Sequence, residues 1–115
     1  MNIENDNNIV FAKIGSRIRQ YRKRANLTQE KLSEKIGITP KHLSKLEAGR
    51  HNPHFDTIIL LAKELDVPID AFLTDIEDNQ INTFLRIIKD DISSMSKNQL
   101  EMLKRYIELI KDFDF

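Results

Sequence analysis

An all-α fold is predicted by three features of the sequence. Apolar residues recur at three- and four-residue spacing through most of the chain, as they do on the inward face of a helix. Thr28, Thr39 and Ser96 have N-cap chemistry at the heads of such stretches, and Asn26, Gly37 and Gly49 stand at ends. The composition, 40% hydrophobic and 31% charged over 115 residues, suits a helix-rich globular protein rather than a disordered chain.

Residues 1–8 are polar and acidic and read as a flexible arm. A first helix is expected over Ile9–Ala25, with Phe11, Ile14, Ile18, Tyr21 and Ala25 on one stripe. Asn26 closes it, because asparagine tolerates the left-handed conformation. Thr28 caps a second helix whose Leu32 and Ile36 lie four apart. Gly37 then makes the turn, and Thr39 caps a third helix with Pro40 at its first turn, where a missing N–H costs nothing. Leu43 and Leu46 of that helix point inward, leaving Lys41, His42, Ser44 and Lys45 on other faces, and Gly49 ends it. The pair forms a helix–turn–helix.

A loop follows, Arg50-His51-Asn52-Pro53-His54. His51 and His54 are three apart, but two ligands in a Pro-bearing loop are poor chemistry for zinc, so they read as surface residues and no metal is expected. A fourth helix runs to Leu65 with Ile58, Leu61, Ala62 and Leu65 as its stripe, and Ile59 and Leu60 outside it. Pro68 starts a short fifth helix, Ile69–Leu73, which closes a domain over residues 9–73. Residues 74–79 form an acidic linker, and residues 80–115 carry two more amphipathic stretches. The first has Ile81, Phe84, Leu85, Ile88 and Ile92 on one face, and Ser96 with Gln99 makes a capping box for the second. In the last helix Leu100, Leu103, Ile107 and Ile110 adjoin Met102, Tyr106, Leu109 and Phe113, an apolar arc of roughly half the circumference. Such an arc asks for more than one partner helix. A helical hairpin that dimerises through Phe84, Ile88, Leu100, Leu103, Tyr106, Ile107 and Ile110 accounts for it. The competing account folds the hairpin back onto helix 4 through Ile59 and Leu60, and the two are compatible.

The formal net charge is zero, yet the distribution is uneven. Phe11–Asn52 holds eleven Lys and Arg against three acids, 11 − 3 = +8, while Thr74–Phe115 holds six bases and nine acids, 6 − 9 = −3. The basic half is the half with the helix–turn–helix, and a local positive field suits a polyanion there. The coincidence of charge with the motif favours that over a solvated basic face with no partner. The chain has no cysteine, which excludes disulfides, a thiol nucleophile and cysteine-ligated zinc. There is no apolar run of membrane-spanning length and no secretory signal, so a cytoplasmic address is expected without membrane contact. Without a P-loop, an HExxH, a Gly-rich nucleotide loop or a nucleophile with a spaced base, no enzyme is expected, and no cofactor.

Leu27-Thr28-Gln29, Leu32, Gly37, Ser44, Leu46-Glu47, Gly49, Pro53, Leu61-Ala62-Lys63-Glu64-Leu65, Val67, Asp70 and Leu73 keep one register from about Ile14 to Leu73. This stretch resembles the Cro/C1-type phage repressors, the xenobiotic-response-element family. The resemblance implies a five-helix, lambda-repressor-like domain that binds double-stranded DNA, followed here by the C-terminal hairpin. It places Thr39, Pro40, Lys41, His42, Ser44 and Lys45 in the major groove, with Lys41 and Lys45 the foremost base readers and His42 third. Thr28 and Gln29 would meet the DNA backbone, as would Arg50, His51 and Asn52. An arginine at Arg22 would pair with Glu47, the only acid between Ile36 and Asn52, as a structural ion pair. Arg17 and Arg19 stay open between a phosphate contact and plain exposure. Asp66 stands where the family often has glycine. Members often carry glutamine at the positions of Pro40, Lys41 and Lys45, so no operator sequence transfers.

The expected function is a sequence-specific regulator, a repressor that binds an inverted repeat as a homodimer. The alternative is a protein-interaction module or antitoxin-type regulator. Some small sporulation and biofilm repressors share this layout, and the likeness allows an antagonist protein at the hairpin.

Overall fold

The computed structural model describes residues 3–111, with side chains over 7–105 and at Glu108, apart from Asp78 and Ile81. Among them the chain forms six α-helices and no strand: α1 (Ile3–Arg24), α2 (Gln29–Ile36), α3 (Pro40–Glu47), α4 (Phe55–Glu64), α5 (Ile81–Ser93) and α6 (Lys97–Lys111). Val10, Ile14 and Ile18 of α1 share one core cluster with Leu32, Leu43, Ile58, Leu61, Ala62 and Phe72, each at most 2% exposed. Burying one large apolar side chain of this kind stabilises by roughly 1.5–3 kcal/mol. No described helix is long and apolar enough to cross a membrane.

The first four helices stop by one device. Asn26, Gly37, Gly49 and Asp66 have φ of 59°, 79°, 73° and 56°. In each case the next residue's N–H reaches back five positions, Leu27 to Arg22, Ile38 to Ser33, Arg50 to Lys45 and Val67 to Ala62. These bonds satisfy carbonyls that a helix end leaves open. Asp66 thus serves where glycine is usual. At Gly49 a side chain would also collide with α1, since an added Cβ would stand 2.6 Å from the Ala12 Cα.

Two elements differ from expectation. α1 begins at Ile3 rather than Ile9, and its innermost line is Val10, Ile14 and Ile18. Once a helix is nucleated each further residue adds a hydrogen bond, so polar residues extend it. Asn7 is also held, accepting from Arg86 Nη2 at 2.9 Å. The fifth helix is a single 3₁₀ turn, Ile69–Phe72, closed by Ala71 N–H to Pro68 and Leu73 N–H to Asp70. Four residues after a proline leave room for i→i−3 bonds and little more. Phe72 is nonetheless fully buried, edge-on to Tyr21 at 6.1 Å.

The C-terminal helices fold back on the rest of the chain, α5 against α1 and α4, and α6 against α4. Ile59 is 2% exposed, as that packing requires, and half-buried Leu60 lines an open groove of about 640 Å³ with Met102. The buried face of α5 carries Thr83, Phe84, Ile87 and Asp91, whereas Leu85 and Ile92 are 54% and 38% exposed. At ~100° per residue that face lies roughly a third of a turn from the stripe of Leu85, Ile88 and Ile92. Phe84 and Leu103, expected at a subunit contact, belong to the chain's own core, while Leu100 is 40% exposed. Tyr106, Ile107 and Ile110 lie outside the described side chains.

Polar bonds fasten this segment. Buried Asp91 accepts from the Phe55 N–H at 3.1 Å and faces His54 Nδ1 at 3.1 Å. α4 has no cap of its own, so α5 supplies one from outside. The Ser96–Gln99 capping box forms as expected, and Gln99 Nε2 donates to Asp56 at 2.9 Å. Between the two parts, Arg17 forks onto Asp75 at 2.7 and 2.8 Å and Lys13 donates to Gln80. Arg17 is therefore neither free nor aimed at phosphate. Its hydrogen bonds hold the Asp75 carboxyl below the usual range, and Asp75 in turn raises the Arg17 guanidinium.

Candidate nucleic-acid interface

α3 is held from behind and open in front. Its hydrophobic anchor is Leu43 and Leu46, 0% and 1% exposed. Its C-terminal end is held by Arg22, whose Nε and Nη2 donate to Glu47 at 2.7 and 3.0 Å. The two side chains are 10% and 2% exposed, so this is a bidentate pair largely out of water. Arg22 Nη1 also donates to the Leu27 carbonyl at 2.8 Å, which ties in the turn before α2. The pairing expected from the resemblance is thus present, with a third strand to it. Gln29 Nε2 donates to Glu47 at 3.0 Å, and Gln29 is half-buried. One amide N–H is thus used within the protein, and the second N–H and Oε1 are left for the DNA backbone contact expected of it.

Gly15 sets how closely α1 can approach. A Cβ there would stand 2.8 Å from the Glu47 carbonyl oxygen and closer still to that of Leu46. The sequence carried a signal for this, since glycine inside a helix costs ~1 kcal/mol relative to alanine and implies a close contact.

The front of α3 is polar and open. Thr39, Pro40, Lys41, His42 and Ser44 are exposed and Lys45 is half-exposed. Thr39 caps the helix, its Oγ1 accepting from the His42 N–H at 3.0 Å, and Pro40 occupies the first turn. Thr28 does the same for α2, accepting from the Lys31 N–H at 3.0 Å. Either hydroxyl can still donate its own proton to a phosphate. Among the described residues Lys41, Lys45 and Arg50 form no ion pair, and Glu47, the acid nearest in sequence, is taken by Arg22. The surface accordingly keeps its positive charge.

Behind α3 the chain turns at Gly49 and runs back. Arg50 is exposed, and Asn52 is half-buried with Oδ1 lacking a hydrogen bond among the described residues. His51 lies with its ring stacked on that of His42, centroids 5.6 Å apart and planes 21° from parallel. Sequence spacing paired His51 with His54 instead; folding sends His54 to Asp91. Among the described residues no cluster could hold a metal ion.

The geometry is that of a capped, cationic helix presented outward by a buried support, and comparison with known proteins agrees. The helix-turn-helix family matches residues 18–72. A transcriptional regulator from the ATPase CF(0) region of Rhodospirillum rubrum is 40% identical over 59% of this chain and 63% of its own length. The regulator y4dJ of Sinorhizobium fredii is 33% identical over 61% of this chain and 91% of its own. The immunity repressor of Bacillus phage phi105 is 28% identical over 88% of this chain and 65% of its own. The chain therefore spans just under two thirds of the Rhodospirillum and phage relatives. Among solved structures, a SinR protein/SinI protein complex contains a chain that superposes with a TM-score of 0.52 at 27% identity, covering 87% of this chain and 99% of that one. The chain belongs to the Cro/C1-type helix-turn-helix family of transcriptional regulators.

Proposed function

We propose that this regulator is a repressor that binds an inverted-repeat operator as a homodimer, with the N-terminal half of α3 in the major groove. The carrying observation is the open front of α3, where Lys41, His42, Ser44 and Lys45 stand away from a core fixed by Leu43, Leu46 and the Arg22–Glu47 pair. The major groove admits one α-helix and offers each base pair as a distinct donor–acceptor pattern. Lys41 and Lys45, four apart, donate to guanine O6 or N7, His42 donates or accepts, and Pro40 offers an apolar ring. Thr28, Thr39 and Arg50 hold phosphates. Repression is supported by the phage immunity repressor among the relatives. The reading puts the protein in the cytoplasm, with DNA.

A dimer sets two such helices ~34 Å apart on successive groove faces. On α5 and α6 the exposed apolar surface available for it is Leu85, Ile92 and Leu100, with half-buried Ile88 on the stripe of α5. A second reading, a partner protein competing for these same helices, is favoured by the likeness to a chain solved in complex with another protein.

Selection of bound DNA from a random pool, followed by anisotropy titrations at several salt concentrations, tests the proposal. Affinity should fall steeply with salt, Lys41→Ala and Lys45→Ala should each weaken binding, and a base reader should also lose preference at one position. Unchanged affinity in both variants would reject it. Sedimentation of Ile92→Glu and Leu100→Glu separates a dimer contact from an inert apolar surface.

A further inference from the structure

The His42–His51 stack ties the loop leaving α3 to the first turn of the same helix. His42 has its backbone N–H fixed by Thr39 Oγ1, but its exposed side chain on an isolated helix would sample several rotamers. The stack with His51 lies within the 4.5–7 Å range of offset aromatic pairs and narrows that freedom. It joins positions 42 and 51, one in the groove-facing turn and one in the returning loop. A shared metal does not explain it. Imidazole ligands direct their nitrogen lone pairs in the ring plane, and two near-parallel rings do not converge on one ion.

We infer that His51 is a positioning residue for base readout, acting through its ring on His42. The inference rests on the reading of α3 as the groove helix. His51 holds the His42 imidazole in one orientation before DNA arrives, so binding does not have to order it. Freezing one such side chain in advance corresponds to roughly a three- to tenfold gain in affinity. The gain is confined to the sequence that His42 reads. A phosphate contact by His51 would behave differently, helping all sequences alike and adding to the salt dependence.

The experiment uses the full chain and the selected operator, its single-base variants and a non-cognate duplex. His42→Ala, His51→Ala, His51→Phe and the double variant His42→Ala/His51→Ala are compared with the unaltered protein at fixed salt. Both residues are exposed, so unchanged melting temperatures should accompany every variant. His51→Ala should weaken operator binding roughly three- to tenfold and lose discrimination at the base pair that His42→Ala affects. It should leave non-cognate binding unchanged. The double variant should be no weaker than His42→Ala, and His51→Phe, which keeps a ring to stack but no ring nitrogen, should restore the loss. A uniform loss on all duplexes, a salt slope reduced by about one, and no rescue by phenylalanine would assign His51 to phosphate and overturn the inference. An inert His51→Ala beside a harmful Lys41→Ala would overturn it alone. Inert Lys41→Ala and Lys45→Ala would overturn the groove reading and this inference together.

Discussion

Replacing Arg22 by methionine keeps an apolar stem of similar length and removes the guanidinium. Glu47, with its side chain 2% exposed, would keep one partner, the Gln29 amide at 3.0 Å. The Leu27 carbonyl would lose its 2.8 Å bond as well. Orphaning a buried charge in this way costs about 3–5 kcal/mol, a large share of the roughly 5–15 kcal/mol that holds a small domain together. Urea unfolding followed by far-UV ellipticity reads the loss directly. With a slope of about 1.5 kcal/mol per molar urea the midpoint should fall by roughly 2–3 M. Arg22→Met/Glu47→Leu should recover most of it, because no charge is then left buried. A loss below about 1 kcal/mol, or one that disappears at about 1 M salt, would refute the reasoning, since water would already be screening the pair.

Four further outcomes follow from the same structure. Gly37→Ala meets no atom within 4 Å and should cost only the left-handed strain of about 1–2 kcal/mol. Gly49→Ala has the same φ penalty and a collision with Ala12, so its thermal midpoint should fall further. Asp75, whose folded-state pKa is lowered by Arg17, stabilises fully above the ordinary carboxylate range and loses that contribution as pH falls through the lowered value. Asp75→Asn should therefore flatten the acid limb of a stability–pH curve below about pH 4, measured by urea midpoints. Asp91→Ala removes the external cap of α4 and should cost about 1–2 kcal/mol, with faster hydrogen exchange at the Phe55 amide.

Local chemistry made much of this fold legible. Thr28, Thr39 and the Ser96–Gln99 box are contacts three residues apart, fixed by the backbone once a helix starts. Asn26 was readable as a left-handed closure because asparagine tolerates that conformation, and Asp66 drew notice only through the resemblance, at a position where glycine is usual. The Arg22–Glu47 pair spans 25 positions and was found through the resemblance together with the scarcity of acids nearby. What stayed hidden depends on which surfaces meet. α5 is apolar on more than one side, so spacing did not reveal that Phe84 and Ile87 turn inward while Leu85 and Ile92 face out. Arg17 gave no hint of Asp75, 58 positions away, nor did His42 of His51. The bond from Gln29 to Glu47 was hidden because their distance in sequence conceals the packing of α2 against the end of α3.

The amide spectrum of the ¹⁵N-labelled full chain, recorded while operator DNA is added, tests the central claim most directly. The largest shifts should fall on Thr39 to Lys45, with smaller ones at Thr28 and Arg50 and none along the exposed side of α5. Shifts gathered around Leu85, Ile92 and Leu100, with the α3 amides unmoved, would contradict it.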